Sequence, residues 1–138
     1  MDGLKRAGWL VFVITNQPDV ARGFLARDEL DRMTATLQST IAPHEIIICP
    51  HDDSDDCACR KPKPGMLLDL KDRWHIDLEG SFVIGDTWRD IEAGRRARCR
   101  TIFLERHRHT SEEVSADARI HSLSEALPLI GTCETETA

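Results

Sequence analysis

The chain has 138 residues and a mass of 15.6 kDa, a length that suits one domain and should bury about 68% of the unfolded surface on folding. Apolar residues make up 41% of it, which places it in the globular range and excludes wholesale disorder. Lys+Arg number 18 against 24 Asp+Glu, a formal charge of −6 that argues against a broad basic face for nucleic acid or an anionic membrane. No run of 18 apolar residues occurs, and no apolar signal core follows Met1-Asp2-Gly3-Leu4-Lys5-Arg6. The expectation is a cytoplasmic protein with neither nucleic-acid nor membrane partners.

Leu4 to Gly8 reads as the end of a helix, and Leu10-Val11-Phe12-Val13-Ile14 as a strand buried on both faces. From Asp28, the expected N-cap, Leu30, Met33, Leu37 and Ile41 recur at helical spacing until Pro43. Glu45 to Cys49 is a second short strand. Residues 50–63 are polar and irregular, and Pro64 suits the first turn of a helix carrying Met66, Leu67, Leu70 and Trp74. Ser81 to Ile84 is the third strand, Arg89 to Arg98 a helix, and Thr101 to Leu104 the fourth strand. Ser122 with Glu125 forms a capping box for a last helix through Leu129, and residues 131–138 read as a flexible tail. This alternation predicts an α/β fold, a three-layer Rossmann-like parallel sheet with helices on both faces, in one domain over 1–130.

Cysteines are uneven: Cys49, Cys57 and Cys59 crowd one loop, whereas Cys99 and Cys133 stand apart. With His51, the pattern Cys49-x-His51-x5-Cys57-x-Cys59 supplies three thiolates and an imidazole within loop 49–59, the ligand set of a closed, structural zinc site. The simpler reading is one buried cysteine and two exposed thiols. Asp52, Asp53, Asp55 and Asp56 lie between the ligands, but a calcium loop would need a central Gly and a terminal Glu that are missing here.

Three further features fall near strand ends, where open parallel sheets bind ligands. Thr15-Asn16 offers a hydroxyl and consecutive backbone N–H groups to a phosphoryl oxygen, though Thr-Asn-Gln is also an ordinary turn. Asp86 and Asp90 lie four apart at a helix start and suit Mg²⁺, against a reading of Asp86 as N-cap and Asp90 as solvated. Lys61 directly follows the cysteine loop and could neutralise charge on a transferring phosphoryl group, although most lysines are simply exposed. His44, His75, His107, His109 and His121 match no site, nor do Trp9, Trp74 and Trp88.

In order, these pieces resemble the haloacid dehalogenase-like (HAD) phosphatases, in particular the small capless zinc-loop subclass that contains heptose bisphosphate and histidinol-phosphate phosphatases. The residues carrying the resemblance are Val13-Ile14-Thr15-Asn16-Gln17 with Val20-Ala21-Arg22-Gly23, then Cys49-Pro50-His51, Cys57-Ala58-Cys59-Arg60-Lys61-Pro62, Pro64-Gly65-Met66, and Ile84-Gly85-Asp86 with Asp90. The resemblance implies a phosphomonoesterase using Mg²⁺ and an aspartyl-phosphate intermediate. It implies that Thr15, Lys61 and Asp86 are catalytic, that Asn16, Arg22 and Arg60 bind phosphate or substrate, and that Asp86 and Asp90 hold Mg²⁺. Cys49, His51, Cys57 and Cys59 would hold structural Zn²⁺ and shape the pocket. The implied substrate is a small phosphorylated metabolite, a sugar phosphate such as heptose bisphosphate first and histidinol phosphate second.

The departure lies at the start of the chain. Enzymes of this kind carry Asp-x-Asp-Gly at the end of a strand ahead of the Thr-Asn strand. Asp2-Gly3 only echoes it, since the short segment up to Leu10 cannot hold the roughly 30 residues of a strand and crossover. The expectation is therefore that the first, central strand is missing from this chain, that the nucleophile is missing with it, and that this chain alone is inactive. In the family's strand order its removal leaves a slot of about 9.6 Å, two strand spacings. That open edge implies strand exchange or a dimer, and it motivates a second expectation from another class, a non-catalytic zinc-stabilised binding or subunit-interaction protein.

Overall fold

A computed structural model describes residues 1–106 and 114–131. The expectations for His107, His109, Cys133 and residues 132–138 lie outside the described residues. The chain divides into two compact units, residues 1–57 joined by Gly131, and residues 58–130.

The first unit opens with helix α1 (Asp2–Arg6), whose Lys5 Nζ donates to the Ala42 carbonyl. Trp9 Nε1 donates to the Gly131 carbonyl at 2.8 Å. Strand β1 (Phe12–Asn16), helix α2 (Arg27–Ile41) and strand β2 (Glu45–Cys49) follow. Parallel pairing requires a crossover between strands, and α2 supplies it. The register runs from Phe12 opposite Glu45 to Asn16 opposite Cys49. His44 sets the start of that ladder: its N–H donates to Val11 O at 2.7 Å, and its Nδ1 accepts from Val11 N at 3.0 Å. Ala42, at φ 45°, ends α2.

Three local expectations are corrected here. The N-cap of α2 is Ala26, without a side-chain cap, so Asp28 sits inside the first turn with Glu29 and complements the helix dipole instead. Strand β1 is half-buried along its whole length rather than buried on both faces, because a two-stranded ribbon is too narrow to cover it. It also begins two residues later than the apolar run, so Thr15 and Asn16 are its last two residues.

The second unit contains α3 (Gly65–Trp74), β3 (Phe82–Gly85), α4 (Trp88–Arg96), β4 (Arg100–Leu104), β5 (Ala118–Ile120) and α5 (Ala126–Ile130). Here the strands pair in parallel in the order β3-β4-β5. Side chains alternate across β4 as the pleat requires. Phe103 packs with Ile91 of α4 and with Val114, while Ile102 packs on the opposite side with Ile120 and with Ala126 of α5. Helices thus cover both faces, as predicted. Gly94 lets α4 approach closely, since a Cβ there would lie 2.9 Å from Thr101 Cγ2 and 3.1 Å from Val83 Cβ. The predicted capping box is present, with Ser122 and Glu125 closing the 3-10 turn Leu123–Glu125 that leads into α5. Strand β5 was not foreseen: three residues with an arginine in the middle are too short to show a period.

Candidate functional site

In the first unit, the register of β1 and β2 places two predicted features at one sheet edge. Asn16 lies opposite Cys49, so the Thr15-Asn16 end of β1 adjoins the strand end that opens the cysteine loop. Gln17 N extends the ladder to Cys49 O at 2.7 Å, and Gln17 Nε2 donates to Thr15 Oγ1 at 3.1 Å. Asp52 caps the 3-10 turn Asp53–Asp55: its Oδ1 accepts from Asp53 N at 2.7 Å, and Asp52 N donates to Asp55 Oδ2 at 2.8 Å.

The ligand atoms of Cys49, His51, Cys57 and Cys59 all lie within 4.8 Å of one another. Cys49 Sγ is 3.5 Å from His51 Nδ1 and 3.6 Å from Cys57 Sγ. A tetrahedron with Zn–S bonds of about 2.3 Å and Zn–N of about 2.05 Å has edges of about 3.8 Å for S–S and about 3.6 Å for S–N. The donor set and its spacing therefore fit a four-ligand tetrahedral cation, and a sulfur separation of 3.6 Å is far beyond a disulfide bond. All four protein ligands converge, so such a site is closed and structural.

Arg22, predicted to face a substrate, is held by the cysteine loop. Its Nε donates to Asp52 Oδ2 at 2.9 Å and its Nη2 to Asp52 Oδ1 at 2.8 Å, a bidentate pair. Those hydrogen bonds keep the guanidinium protonated even beyond its usual range.

In the second unit, Lys61 and Asp90 are brought together. Both residues are buried, and Lys61 Nζ donates to Asp90 Oδ1. The other oxygen, Oδ2, accepts from Thr87 N at 3.1 Å and from Thr87 Oγ1 at 2.9 Å. The N-cap of α4 is thus Thr87 rather than Asp86, and Asp90 is a buried partner of that cap rather than a solvated side chain. Gly85 makes the arrangement sterically possible, because a Cβ there would overlap the Asp90 side chain. Lys61 itself is carried on the segment before α3, whose Met66, Leu67 and Leu70 are buried anchors. Arg60 beside it is also buried.

Asp86 has a different environment. It lies just past β3, half exposed, and accepts one hydrogen bond, at 3.3 Å, from Nη1 of an exposed Arg106. The two carboxylates therefore differ in environment: Asp90 is committed to Lys61 and Thr87, and Asp86 is half exposed and paired with an exposed Arg106. A half-exposed carboxylate on a strand end suits Mg²⁺, which takes one or two carboxylates and keeps several waters.

Thr87 and Arg106 were not singled out in the sequence, and Asp52 only among the acidic residues weighed as a calcium loop. Thr87-x-x-Asp90 is a recognisable capping pattern, whereas nothing local announces that Arg22 meets Asp52 or that Arg106 meets Asp86.

Comparison with known proteins identifies the family. The HAD-hydrolase-like family model matches residues 58–127. The D-glycero-beta-D-manno-heptose-1,7-bisphosphate 7-phosphatase of Pseudomonas aeruginosa is 40% identical over 106 residues, covering 73% of this chain and 60% of that protein. The phosphatase of the same name from Salmonella typhi is 32% identical over 130 residues, covering 86% of this chain and 68% of that protein. Among solved structures, D,D-heptose 1,7-bisphosphate phosphatase from B. bronchiseptica, complexed with magnesium and phosphate, superposes with a TM-score of 0.77 at 30% identity, over 89% of this chain and 74% of that one. This chain spans less than two thirds of the length of the Pseudomonas relative. By the family match over half its residues and by these relatives, the chain belongs to the HAD-hydrolase-like family.

Proposed function

We propose that this chain carries the phosphate-handling apparatus of a phosphomonoesterase for a small phosphorylated sugar, with a heptose bisphosphate as first substrate and histidinol phosphate as second. The observation that carries the reading is the buried Lys61–Asp90 pair with a half-exposed Asp86, in a chain whose relatives bear heptose bisphosphate phosphatase names.

In this reading Thr15 Oγ1 and Asn16, at the end of β1, hold the phosphoryl oxygens. Lys61 offsets the negative charge of a transferring phosphoryl group, and Asp90 fixes the ammonium in place so that no reorganisation is needed as charge builds. Asp86 would hold Mg²⁺, with Asp90 supporting it; when bound, the ion neutralises and orients phosphoryl oxygens. Arg22 and Arg60 bind the remainder of the substrate. Cys49, His51, Cys57 and Cys59 hold Zn²⁺, whose charge with three thiolates sums to −1 and which orders a loop too polar to pack itself. Reduced thiols in that loop accord with a cytoplasmic setting.

Aspartyl-phosphate chemistry needs a nucleophilic carboxylate on a strand ahead of Thr15, and these 138 residues contain no Asp-x-Asp there. The test is phosphate release from a panel of sugar bisphosphates, sugar monophosphates and histidinol phosphate. The 138-residue chain is expected to show no Mg²⁺-dependent turnover, and the same chain extended by an apolar strand ending in Asp-x-Asp is expected to hydrolyse the heptose bisphosphate best. Turnover by the unextended chain that vanishes on Asp86→Asn would sink the assignment of the nucleophile. An extended, folded chain inert toward the whole panel would sink the phosphatase reading.

A further inference from the structure

Arg22 and Asp52 stand 30 positions apart and meet in a bidentate ion pair, two N–H donors on two carboxylate oxygens at 2.8 and 2.9 Å. Asp52 immediately follows the ligand His51, and its own backbone is locked by the cap it makes with Asp53 and Asp55. Arg22 lies in the connection between β1 and α2, five residues beyond the Thr15–Gln17 segment. That connection is otherwise a succession of turns: Arg22 N bonds to Pro18 O, Gly23 N to Val20 O and Phe24 N to Asp19 O, while the Phe24 side chain is 81% exposed. It has little apolar anchoring of its own, so its placement depends on polar ties to the rest of the unit.

We infer that Asp52 is a positioning residue through which the metal loop holds the β1–α2 connection: the four-ligand cation fixes His51, His51 fixes Asp52, and Asp52 fixes Arg22. The inference rests on the metal reading of Cys49, His51, Cys57 and Cys59 given above. The geometry also says how Arg22 is presented. Asp52 takes the Nε and Nη2 edge of the guanidinium, which leaves the Nη1 N–H groups directed elsewhere as an oriented donor pair for an anion. A structural metal site would in this way set the orientation of a substrate-binding arginine.

The experiment is limited trypsin digestion of the 138-residue protein with zinc content measured in the same samples. Trypsin cuts after arginine, so the Arg22–Gly23 bond reports directly on release of that side chain. Asp52→Asn keeps an acceptor for the Asp53 cap but removes the charge. It is expected to retain one zinc per chain while cleavage at Arg22–Gly23 accelerates about three- to tenfold, with cleavage at Arg73 and Arg96 in the second unit unchanged. Chelated wild-type protein is expected to match or exceed that acceleration. Zinc-loaded Asp52→Asn cut at the wild-type rate would overturn the inference, and so would loss of zinc from that variant, which would make Asp52 part of the metal loop's own integrity. Wild-type protein that holds no zinc at all would instead overturn the metal reading beneath it.

Discussion

Lys61 and Asp90 each expose only 11% of their side chain, so neither charge can be solvated by water if its partner is removed. A pair of this kind is poor evidence of net stabilisation, because desolvation consumes most of the attraction, but breaking it from one side strands a buried charge. Lys61→Met is therefore expected to cost about 3 kcal/mol of folding stability, and Asp90→Asn a comparable amount, whereas the double variant should recover a large part of the loss. Urea denaturation of the four proteins in a double-mutant cycle measures the coupling. Additive losses would show that the two side chains do not depend on one another. Thr87 adds a check, since its hydroxyl and N–H occupy the other Asp90 oxygen; Thr87→Val would remove the hydroxyl and leave the N–H in place, weakening the hold on Asp90 without touching Lys61.

At the scale of elements, Cys99 illustrates how position controls chemistry. It stands at the entry to β4, buried, and burial with the nearby Asp77 carboxylate pushes its thiol from 9.0 up to about 11. Below pH 9 the thiol is neutral in both folded and unfolded chains and contributes no slope. Between pH 9 and about 11 the unfolded chain releases the proton while the folded one retains it, so the stability owed to this group falls as pH rises through that window. Chemical denaturation from pH 8 to 11 should show a decline that is shallower in Cys99→Ala, and equal slopes in the two proteins would refute the assignment. Strands were legible where an apolar run is long enough to show its period: Glu45–Cys49 emerges with its predicted limits, and Phe82–Gly85 and Arg100–Leu104 within one residue of theirs. Likewise the cluster of Cys49, His51, Cys57 and Cys59 was legible from spacing alone, since its members share one loop. What escaped were features set by three-dimensional proximity. Arg22 with Asp52 and Asp86 with Arg106 join distant segments, and β5 is too short for a pattern to accumulate.

For the whole molecule the decisive fact is how unevenly apolar burial is shared between the two units. In the first, the buried hydrophobic residues are Leu30 and Cys49 alone among the described residues, and Cys49 is itself a proposed metal ligand. Met33 and Leu37, which recur at helical spacing along α2, are exposed. By contrast, the second unit buries Met66, Leu67, Leu70, Val83, Ile91, Ile102, Phe103 and Ile120. Each fully buried side chain of this size is worth roughly 1.5–3 kcal/mol over its exposed state, so the second unit has the apolar capital to remain folded and the first does not. Metal binding at the proposed site would supply what the first unit lacks, because ligands gathered only in the folded loop convert binding energy into folding energy. Chelation should then act chiefly on the first unit, which supplies Cys49, His51 and Cys57, with Cys59 lying two residues beyond its end. Hydrogen exchange followed by mass spectrometry is expected to show protection lost across β1, α2 and β2 once the metal is withdrawn, while β3, β4 and α4 keep theirs. Restoring stoichiometric Zn²⁺ should return the lost protection. Uniform loss in both units would mean that the second unit depends on the first for its fold, and unchanged protection in β1 and β2 would mean that the Leu30 packing and the β1–β2 ladder suffice without the cation.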